Sequence, residues 1–217
     1  LEPSAHEAVL GETAPALDAI RRWHRNGRQP FLALPAARGD LDGIEAVAQR
    51  HREAFELVVV LGTGGSSLGG QSLVAMEQPA FPGIRPGPRV QFMENIDPHS
   101  FACLLRAADL GLTGFIAISR SGATAETLAQ FAVCRAAMHD AVDADRLGRH
   151  FTVVTKPGSN PLRHMAEGMG VRVLDHDQSL GGRFSALSIT GLLPARIAGV
   201  DALAARAGAQ AVLDSAL

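Results

Sequence analysis

Residues 57–70 read LVVVLGTGGSSLGG, an apolar run followed directly by a glycine-rich turn. The run Leu57–Leu61 is rich in valine, which is typical of a buried β-strand. The glycines after it let the backbone turn tightly and let a ligand approach the peptide N–H groups. The sequence therefore predicts a buried strand, a tight turn, and then a helix whose N-terminal N–H groups favour an anion.

Four more short apolar runs follow this segment, and stretches with helix signals separate them. Asp97–Pro98 and Asn160–Pro161 each place a capping side chain before a proline at the first helical position. Strands that alternate with helices indicate a parallel sheet covered on both faces. We therefore expect an α/β fold, a three-layer α/β/α sandwich around a five-stranded parallel sheet with a flavodoxin-like strand order. The four runs are Val90–Met93, Phe115–Ile118, Phe151–Thr155 and Val171–Leu174.

The first 55 residues differ in character from the rest of the chain. Gly27–Gly39 is rich in turn signals, and Asp40 is expected to cap a helix. We therefore expect residues 1–55 to form a helical segment and residues 56–217 to form the α/β domain. A last helix, capped by Asp201, reaches Leu217 without a glycine or proline stop signal. For that reason we expect the domain to be truncated from a longer protein.

Charge and composition disfavour several classes of protein. Twenty Lys and Arg residues against 22 Asp and Glu residues give a net charge of -2, which disfavours a nucleic-acid-binding protein. No apolar run approaches the length needed to span a bilayer, and residues 1–10 lack the pattern of a signal peptide. We therefore expect a cytoplasmic protein without nucleic-acid or membrane partners.

Side chains suited to metal or redox chemistry are sparse. Cys103 and Cys134 are isolated in the sequence, so neither a disulfide framework nor a structural zinc site is expected. The eight histidines show no paired ligand spacing. The acidic cluster Asp175–Asp177, with His176 at its centre, is expected to form a solvated loop. We therefore expect no metal and no cofactor.

The glycine-rich loop Gly62–Gly70 resembles two nucleotide-binding motifs and matches neither. A dinucleotide fingerprint requires a third glycine where this chain has Ser67, and a P-loop requires a lysine that the loop lacks. Close approach of an anion to the loop remains compatible with the sequence. A strand-to-helix turn without a ligand is an equal alternative.

The loop after the third predicted strand presents three hydroxyls, on Ser119, Ser121 and Thr124. Serine and threonine hydroxyls donate hydrogen bonds to phosphate oxygens, and the N–H groups of a helix start add donors, so a phosphate can be held without a metal. Helix capping is the structural alternative, but one cap needs only one hydroxyl. Arg120 either pairs with the phosphate or points into solvent, and Glu126 fits the first helical turn for structural reasons.

A third loop, residues 181–185, reads GGRFS and follows the fifth predicted strand. Two glycines before Arg183 predict a tight turn that aims the guanidinium, where it would stabilise a developing oxyanion. A surface arginine is the alternative, and Ser185 is expected to cap the next helix. Ligands of open parallel sheets bind beyond the carboxyl ends of strands, where the strand order switches. That rule favours all three loops as parts of one site.

Together these segments resemble a known enzyme family. GTGGSSLGG, FMENID, SRSGATAET and GGRFSALSITGLLP occur in this order, which is similar to the N-terminal part of glucose-6-phosphate isomerases, where a sugar isomerase (SIS) domain lies. The resemblance covers roughly residues 56–201. It implies reversible conversion of glucose 6-phosphate to fructose 6-phosphate, by acid–base proton transfer through a cis-enediol without a metal or a nucleotide.

The resemblance also implies roles for individual residues. Gly65 and Ser66 would contact the substrate, the three hydroxyls would hold its phosphate, and Arg183 would stabilise the enediolate-like intermediate. Arg120 stands where the family often has lysine, and it would still be able to contact the ligand. Ala123 stands where many members have threonine, so this chain lacks that hydroxyl.

The catalytic glutamate and histidine of the family belong to a second SIS domain, and no matching motif occurs before Leu217. The chain is therefore expected to bind a sugar phosphate without isomerising it, as part of a longer protein that forms a homodimer. Two alternatives stay open, namely a non-catalytic phosphosugar-binding SIS module of a regulator and another SIS aldose–ketose isomerase. The first fifty residues lack a clear helix-turn-helix pattern, which disfavours the regulator, and GGRFS disfavours the other isomerases.

Overall fold

The computed structural model of the chain describes residues 3–77 and 87–217. The chain divides into two units, Gly39–Ala202 and a smaller one made of Leu1–Arg38 with Leu203–Leu217. The sheet and the three loops predicted to bind a ligand belong to the larger unit. Within the described ranges, every helix is too short or too polar to cross a membrane.

Five strands of the larger unit form one sheet. They are β1 Leu57–Leu61, β2 Arg89–Met93, β3 Thr113–Ser119, β4 Phe151–Thr155 and β5 Arg172–Asp175. The strand order is β2-β1-β3-β4-β5, and each neighbouring pair is parallel. The expected flavodoxin-like order is therefore confirmed. It makes β1 and β3 neighbours at the point where the order switches direction.

The three central strands are buried along their whole length, because helices cover both faces of the sheet. Every residue of β1, β3 and β4 is buried, whereas the edge strands β2 and β5 contain exposed residues. On one face, Phe115 stacks on Phe151 with ring centres 5.1 Å apart, and Phe131 meets Phe151 edge-on at 5.1 Å. Burial of one such side chain contributes about 1.5–3 kcal/mol, which fixes the strands that carry the loops.

Helices connect the strands and follow the predicted start signals. Asp97 Oδ2 accepts a hydrogen bond from the N–H of Ser100 at 2.8 Å, and Asn160 Oδ1 accepts one from the N–H of Arg163 at 3.0 Å. These two predicted N-caps are therefore confirmed. Asp40 is the N-cap residue of the helix Leu41–Ala54, as expected, but its side chain makes no capping hydrogen bond with that helix. The helices are α1 Pro3–Arg25, α2 Leu41–Ala54, α3 Leu68–Glu77, α4 Pro98–Ala107, α5 Ala125–His139, α6 Ala144–Leu147, α7 Pro161–Glu167, α8 Ile189–Ile197 and α9 Ala202–Ala216. Short 3₁₀ turns span Pro30–Ala36, Gly64–Ser66, Leu110–Leu112, Gly148–His150 and Gly182–Phe184.

The start of α8 differs from the prediction. Ser188 is the N-cap residue, and its Oγ accepts a hydrogen bond from the N–H of Thr190 at 3.3 Å. Ser185 lies one turn earlier, where its carbonyl oxygen accepts hydrogen bonds from the N–H and the hydroxyl of Ser188 at 3.0 and 2.7 Å. The prediction that Ser185 caps this helix is wrong, because an additional turn precedes the helix.

The smaller unit contains α1 and all but the first residue of α9. The Arg21 guanidinium donates to the carbonyl oxygen of Ala216 at 3.5 Å, and that of Arg206 donates to the carbonyl oxygen of Ala37 at 2.9 Å. Helix α2 belongs to the larger unit. The division into a helical segment 1–55 and an SIS domain 56–217 stays a prediction.

Candidate functional site

A polar cleft of about 420 Å³ lies at the carboxyl ends of β1, β3 and β4. The loops after these strands line it, together with residues from the connection between β5 and α8. Because β1 and β3 are neighbours at the switch in strand order, the cleft lies where open α/β sheets bind their ligands. The lining residues are Thr63, Gly65, Ser66, Arg120, Ser121, Thr124, Lys156, Gln178 and Gly182.

Gly65 allows two walls of the cleft to approach each other closely. It lies in the 3₁₀ turn Gly64–Ser66 and packs against Gly182 in the turn Gly182–Phe184. A Cβ atom on residue 65 would lie 2.7 Å from the Cα of Gly182 and still closer to its carbonyl group. The Ser185 hydroxyl lies 2.6 Å from the carbonyl oxygen of Gly182 and 3.2 Å from that of Gly65. The packing of the cleft wall therefore requires a glycine at position 65.

The three hydroxyls of the β3 loop form one hydrogen-bonded group. Thr124 Oγ1 lies 2.9 Å from Ser119 Oγ and 3.5 Å from Ser121 Oγ. The N–H of Gly122 donates to Ser119 Oγ, and the N–H of Ala123 donates to Ser121 Oγ, both at 3.1 Å. Ser121 and Thr124 line the cleft, whereas Ser119 is buried and contacts Thr124. Because both serine oxygens accept a backbone N–H, each hydroxyl keeps its own proton for another acceptor.

Helix capping does not account for this group. Thr124 is the N-cap residue of α5, yet its hydroxyl makes no capping hydrogen bond with the helix. Glu126 lies exposed in the first turn of α5 and is not among the residues that line the cleft. A carboxylate there stabilises the helix through its dipole. The hydroxyls are therefore directed at one another and at the cleft.

Two basic side chains line the cleft. The Arg120 guanidinium donates to the carbonyl oxygen of Gln178 at 2.7 Å and so bridges the loops after β3 and β5. Lys156 directly follows β4, and its N–H donates to the carbonyl oxygen of Arg120 at 3.2 Å. Lys156 was not predicted from the sequence, although its position at the carboxyl end of a strand is a usable signal. None of the described lining residues is an aspartate or a glutamate, so the cleft favours an anion.

Arg183 is exposed and lies in the turn Gly182–Phe184. Its neighbour Gly182 lines the cleft, whereas Arg183 itself is not among the lining residues. The structure therefore brings six of the seven predicted residues to the cleft or into contact with its lining, and places Arg183 one residue beyond it. The role of Arg183 stays a prediction.

The loop after β5 contains a buried histidine. His176 is 1% exposed, its backbone N–H donates to the carbonyl oxygen of Thr155, and its Nδ1–H donates to that of Asp177, both at 2.8 Å. The prediction of a solvated loop is therefore wrong at His176, while Asp175 and Asp177 are exposed. Burial lowers the pKa of His176, and the nearby charge of Arg120 also lowers it. Among the described residues, no group of three or more His, Cys, Asp or Glu side chains is placed to hold a metal ion.

A second cavity, of about 320 Å³, lies between α4 and α5. Its walls are mostly apolar and include Phe101, Leu105 and Val133, with Gln130 as a polar member. It shares no lining residue with the polar cleft, and its described lining contains no charged side chain. The polar cleft is therefore the better candidate site for a charged ligand.

Comparison with known proteins places the chain in a family. The family model for phosphoglucose isomerase matches residues 46–215. Because this match spans most of the 217 residues, the chain belongs to the phosphoglucose isomerase family. The resemblance seen in the sequence is thereby confirmed.

Individual relatives agree with this assignment. The glucose-6-phosphate isomerase of Carboxydothermus hydrogenoformans is 35% identical over 90% of this chain and 43% of its own length. One from Thermus thermophilus is 38% identical over 99% of this chain and 49% of its own length. The crystal structure of a hypothetical protein from Thermus thermophilus gives a TM-score of 0.80 at 33% identity, over 97% of this chain and 50% of that one. The chain thus spans about half the length of the relatives it matches.

Proposed function

We propose that the polar cleft binds the phosphate of a sugar phosphate, and that the chain is the phosphate-binding part of an isomerase. The isomerase would interconvert glucose 6-phosphate and fructose 6-phosphate. The observation that carries this proposal is that the β1 loop, the β3 loop and Lys156 converge on one cleft. Two cationic side chains line this cleft, and no carboxylate is among its described lining residues. The family membership of the chain supports the same choice of substrate.

The hydrogen bonds of the β3 loop suggest how the phosphate is held. Ser119 Oγ accepts the N–H of Gly122, and we infer that Ser119 donates its own proton to Thr124 Oγ1, which lies 2.9 Å away. The proton of Thr124 is then available for a phosphate oxygen. Ser121 Oγ accepts a backbone N–H in the same way and offers its proton to a second oxygen. Hydrogen bonds to a charged acceptor of this kind contribute about 1.5–3 kcal/mol each.

The chemical step needs more than phosphate binding. An aldose–ketose conversion through a cis-enediol requires a general base, which is typically worth a factor of about 10² to 10⁴ in rate. The resemblance assigns the base and the ring-opening histidine to a second SIS domain, and it assigns stabilisation of the enediolate to Arg183. We therefore expect this chain to bind the substrate without turnover. A homodimer of the longer protein and a cytoplasmic location stay predictions.

Calorimetry with glucose 6-phosphate tests the proposal. We expect Ser121→Ala to weaken binding about tenfold, because one hydrogen bond to a charged oxygen is lost. Ser72→Ala is the matched control, since that exposed hydroxyl donates within its own helix, to the carbonyl oxygen of Leu68, and is not among the described lining residues of the cleft. Equal affinity of the Ser121 variant and the unchanged chain would remove the β3 loop from the site. Absence of binding by the unchanged chain would overturn the proposal.

A coupled assay of fructose 6-phosphate formation serves as the second readout. We expect no turnover by the 217-residue chain at concentrations where calorimetry shows binding. Sustained turnover by this chain alone would contradict the division of roles between the two SIS domains.

A further inference from the structure

Lys156 is the only lysine among the 217 residues, and every other basic side chain apart from the histidines is an arginine. It directly follows Thr155, the last residue of β4, and it lines the polar cleft. Lysine and arginine differ in chemistry, because an ammonium is a compact and strongly hydrated charge with three rotatable donors. The only lysine ammonium of the chain therefore follows the carboxyl end of β4, one of the three central strands.

The backbone of Lys156 is fixed relative to the hydroxyls of the β3 loop. Its N–H donates to the carbonyl oxygen of Arg120, which lies between two of those hydroxyls in the sequence, at 3.2 Å. Its carbonyl oxygen accepts hydrogen bonds from Asn160 Nδ2 and from an Nη2 of Arg163, both at 3.2 Å. The backbone of Lys156 is therefore held by hydrogen bonds, while its ammonium lies at the end of a flexible four-carbon chain.

The ammonium of Lys156 has no hydrogen-bond or ion-pair partner among the residues that the structure describes. Its basic neighbours differ from it in this respect, since Arg120 donates to Gln178 and Arg163 pairs with Asp175 at 2.5 Å. The described lining of the cleft supplies no carboxylate to Lys156. An anion in the cleft would therefore be the partner that this side chain is placed to meet.

We propose that Lys156 is a specificity-determining residue that makes the cleft prefer doubly charged phosphate esters over singly charged ligands of the same shape. This inference rests on the proposed function. Coulomb energy scales with the product of the charges, so the free energy that one cation contributes to binding doubles when the ligand charge doubles. The factor by which that cation raises the association constant is then squared. A phosphate monoester is mostly a dianion at pH 7.5, because its second pKa is about 6. A sulfate monoester stays a monoanion.

Calorimetry at pH 7.5 with glucose 6-phosphate and glucose 6-sulfate separates the two charge states without a change of pH. We expect Lys156→Met to weaken binding of the phosphate about tenfold and of the sulfate about threefold. Lys156→Arg should keep the preference for phosphate, because it keeps the charge. Arg149→Met is the matched control, since this exposed arginine precedes the amino end of β4 rather than its carboxyl end.

Reductive methylation of the unchanged chain gives a second measurement that needs no variant. Because Lys156 is the only lysine, the modified ε-amine identifies one residue by peptide mass. We expect saturating glucose 6-phosphate to slow its methylation severalfold. An equal loss of phosphate and sulfate affinity in Lys156→Met, or unchanged methylation in the presence of bound glucose 6-phosphate, would overturn the inference while the proposed function stands. Absence of glucose 6-phosphate binding by the unchanged chain would overturn both.

Discussion

Replacement of Gly65 by alanine tests whether two loops build one cleft. The added Cβ atom would lie 2.7 Å from the Cα of Gly182, and its other close neighbours are the carbonyl atoms of the same residue. These atoms belong to the backbone, so no side chain can rotate away to make room. The turn Gly64–Ser66 or the turn Gly182–Phe184 must therefore move.

The size of the effect follows from these distances. An ordinary contact needs 3.4 Å or more, so the two turns must separate by at least about 0.7 Å at Cα and by more at the carbonyl group. Overpacking of this kind costs about 1–3 kcal/mol of folding free energy. Because residue 65 and Gly182 both line the cleft, the same movement displaces its wall. We expect affinity for glucose 6-phosphate to fall about tenfold or more, the equivalent of one charged hydrogen bond.

Urea denaturation and calorimetry on Gly65→Ala measure both quantities. Gly168→Ala is the matched control, because nothing lies within 4 Å of the Cβ that this substitution adds, and the backbone of Gly168 has an ordinary φ of -65°. We expect the control to keep its affinity and its stability. If Gly65→Ala bound glucose 6-phosphate as the unchanged chain does, with the same urea midpoint, the contact between the two turns would not shape the site.

Two further predictions concern stability. Gly122→Ala places a side chain at a φ of 68°, and the added Cβ would lie 2.7 Å from Thr155 Oγ1 and closer still to the side-chain amide of Asn160, which caps a helix. We therefore expect the free energy of unfolding, measured by urea denaturation, to fall by about 2–3 kcal/mol. Gly158→Ala, at a φ of 79° with nothing within 4 Å, should lose only about 1 kcal/mol, and equal losses would refute the role of the clash. Burial, and then the charge of Arg50, lower the pKa of His51 from 6.5 to about 3, so the unfolded chain binds the proton more tightly. The free energy of unfolding should therefore fall as the pH drops below 6.5, by about 2 kcal/mol between pH 7 and pH 5. His51→Gln should lack most of this loss. Equal pH profiles of the variant and the unchanged chain would contradict the role of His51.

The strands of this fold could be predicted because burial on both faces leaves a continuous apolar run. Leu57–Leu61 and Phe151–Thr155 have the bounds that their sequences indicate. The third strand is longer than its apolar core, because Thr113 and Ser119 at its ends pair in the ladder although they are polar. Backbone pairing does not depend on side-chain polarity, so sequence patterns miss such ends.

The site was partly predictable for a different reason. Hydroxyls and glycines directly after a strand mark its carboxyl end, and the sheet order brings those ends together. Gln178 gives no such signal, because it contributes its backbone carbonyl oxygen to Arg120 and any residue has one. The cap of α8 was predicted three residues too early, at Ser185, because both serines are suitable caps and only the folded turn selects Ser188. Lys156 was missed because one lysine beside a proline resembles an ordinary loop residue.

In the proposed function, the cleft would bind a phosphate with few flexible groups, because each loop contributes a different kind of contact. The β1 loop contributes glycine backbone that lets the walls close up, and the β3 loop contributes hydroxyls whose oxygens are already fixed by backbone N–H groups. Groups held in place before binding lose little conformational freedom when the ligand arrives. The arginine of the β3 loop is held by a backbone carbonyl in the same way. The long side chain of Lys156, by contrast, has no partner among the described residues, so ordering it on a ligand would cost conformational entropy that the groups already held in place do not lose.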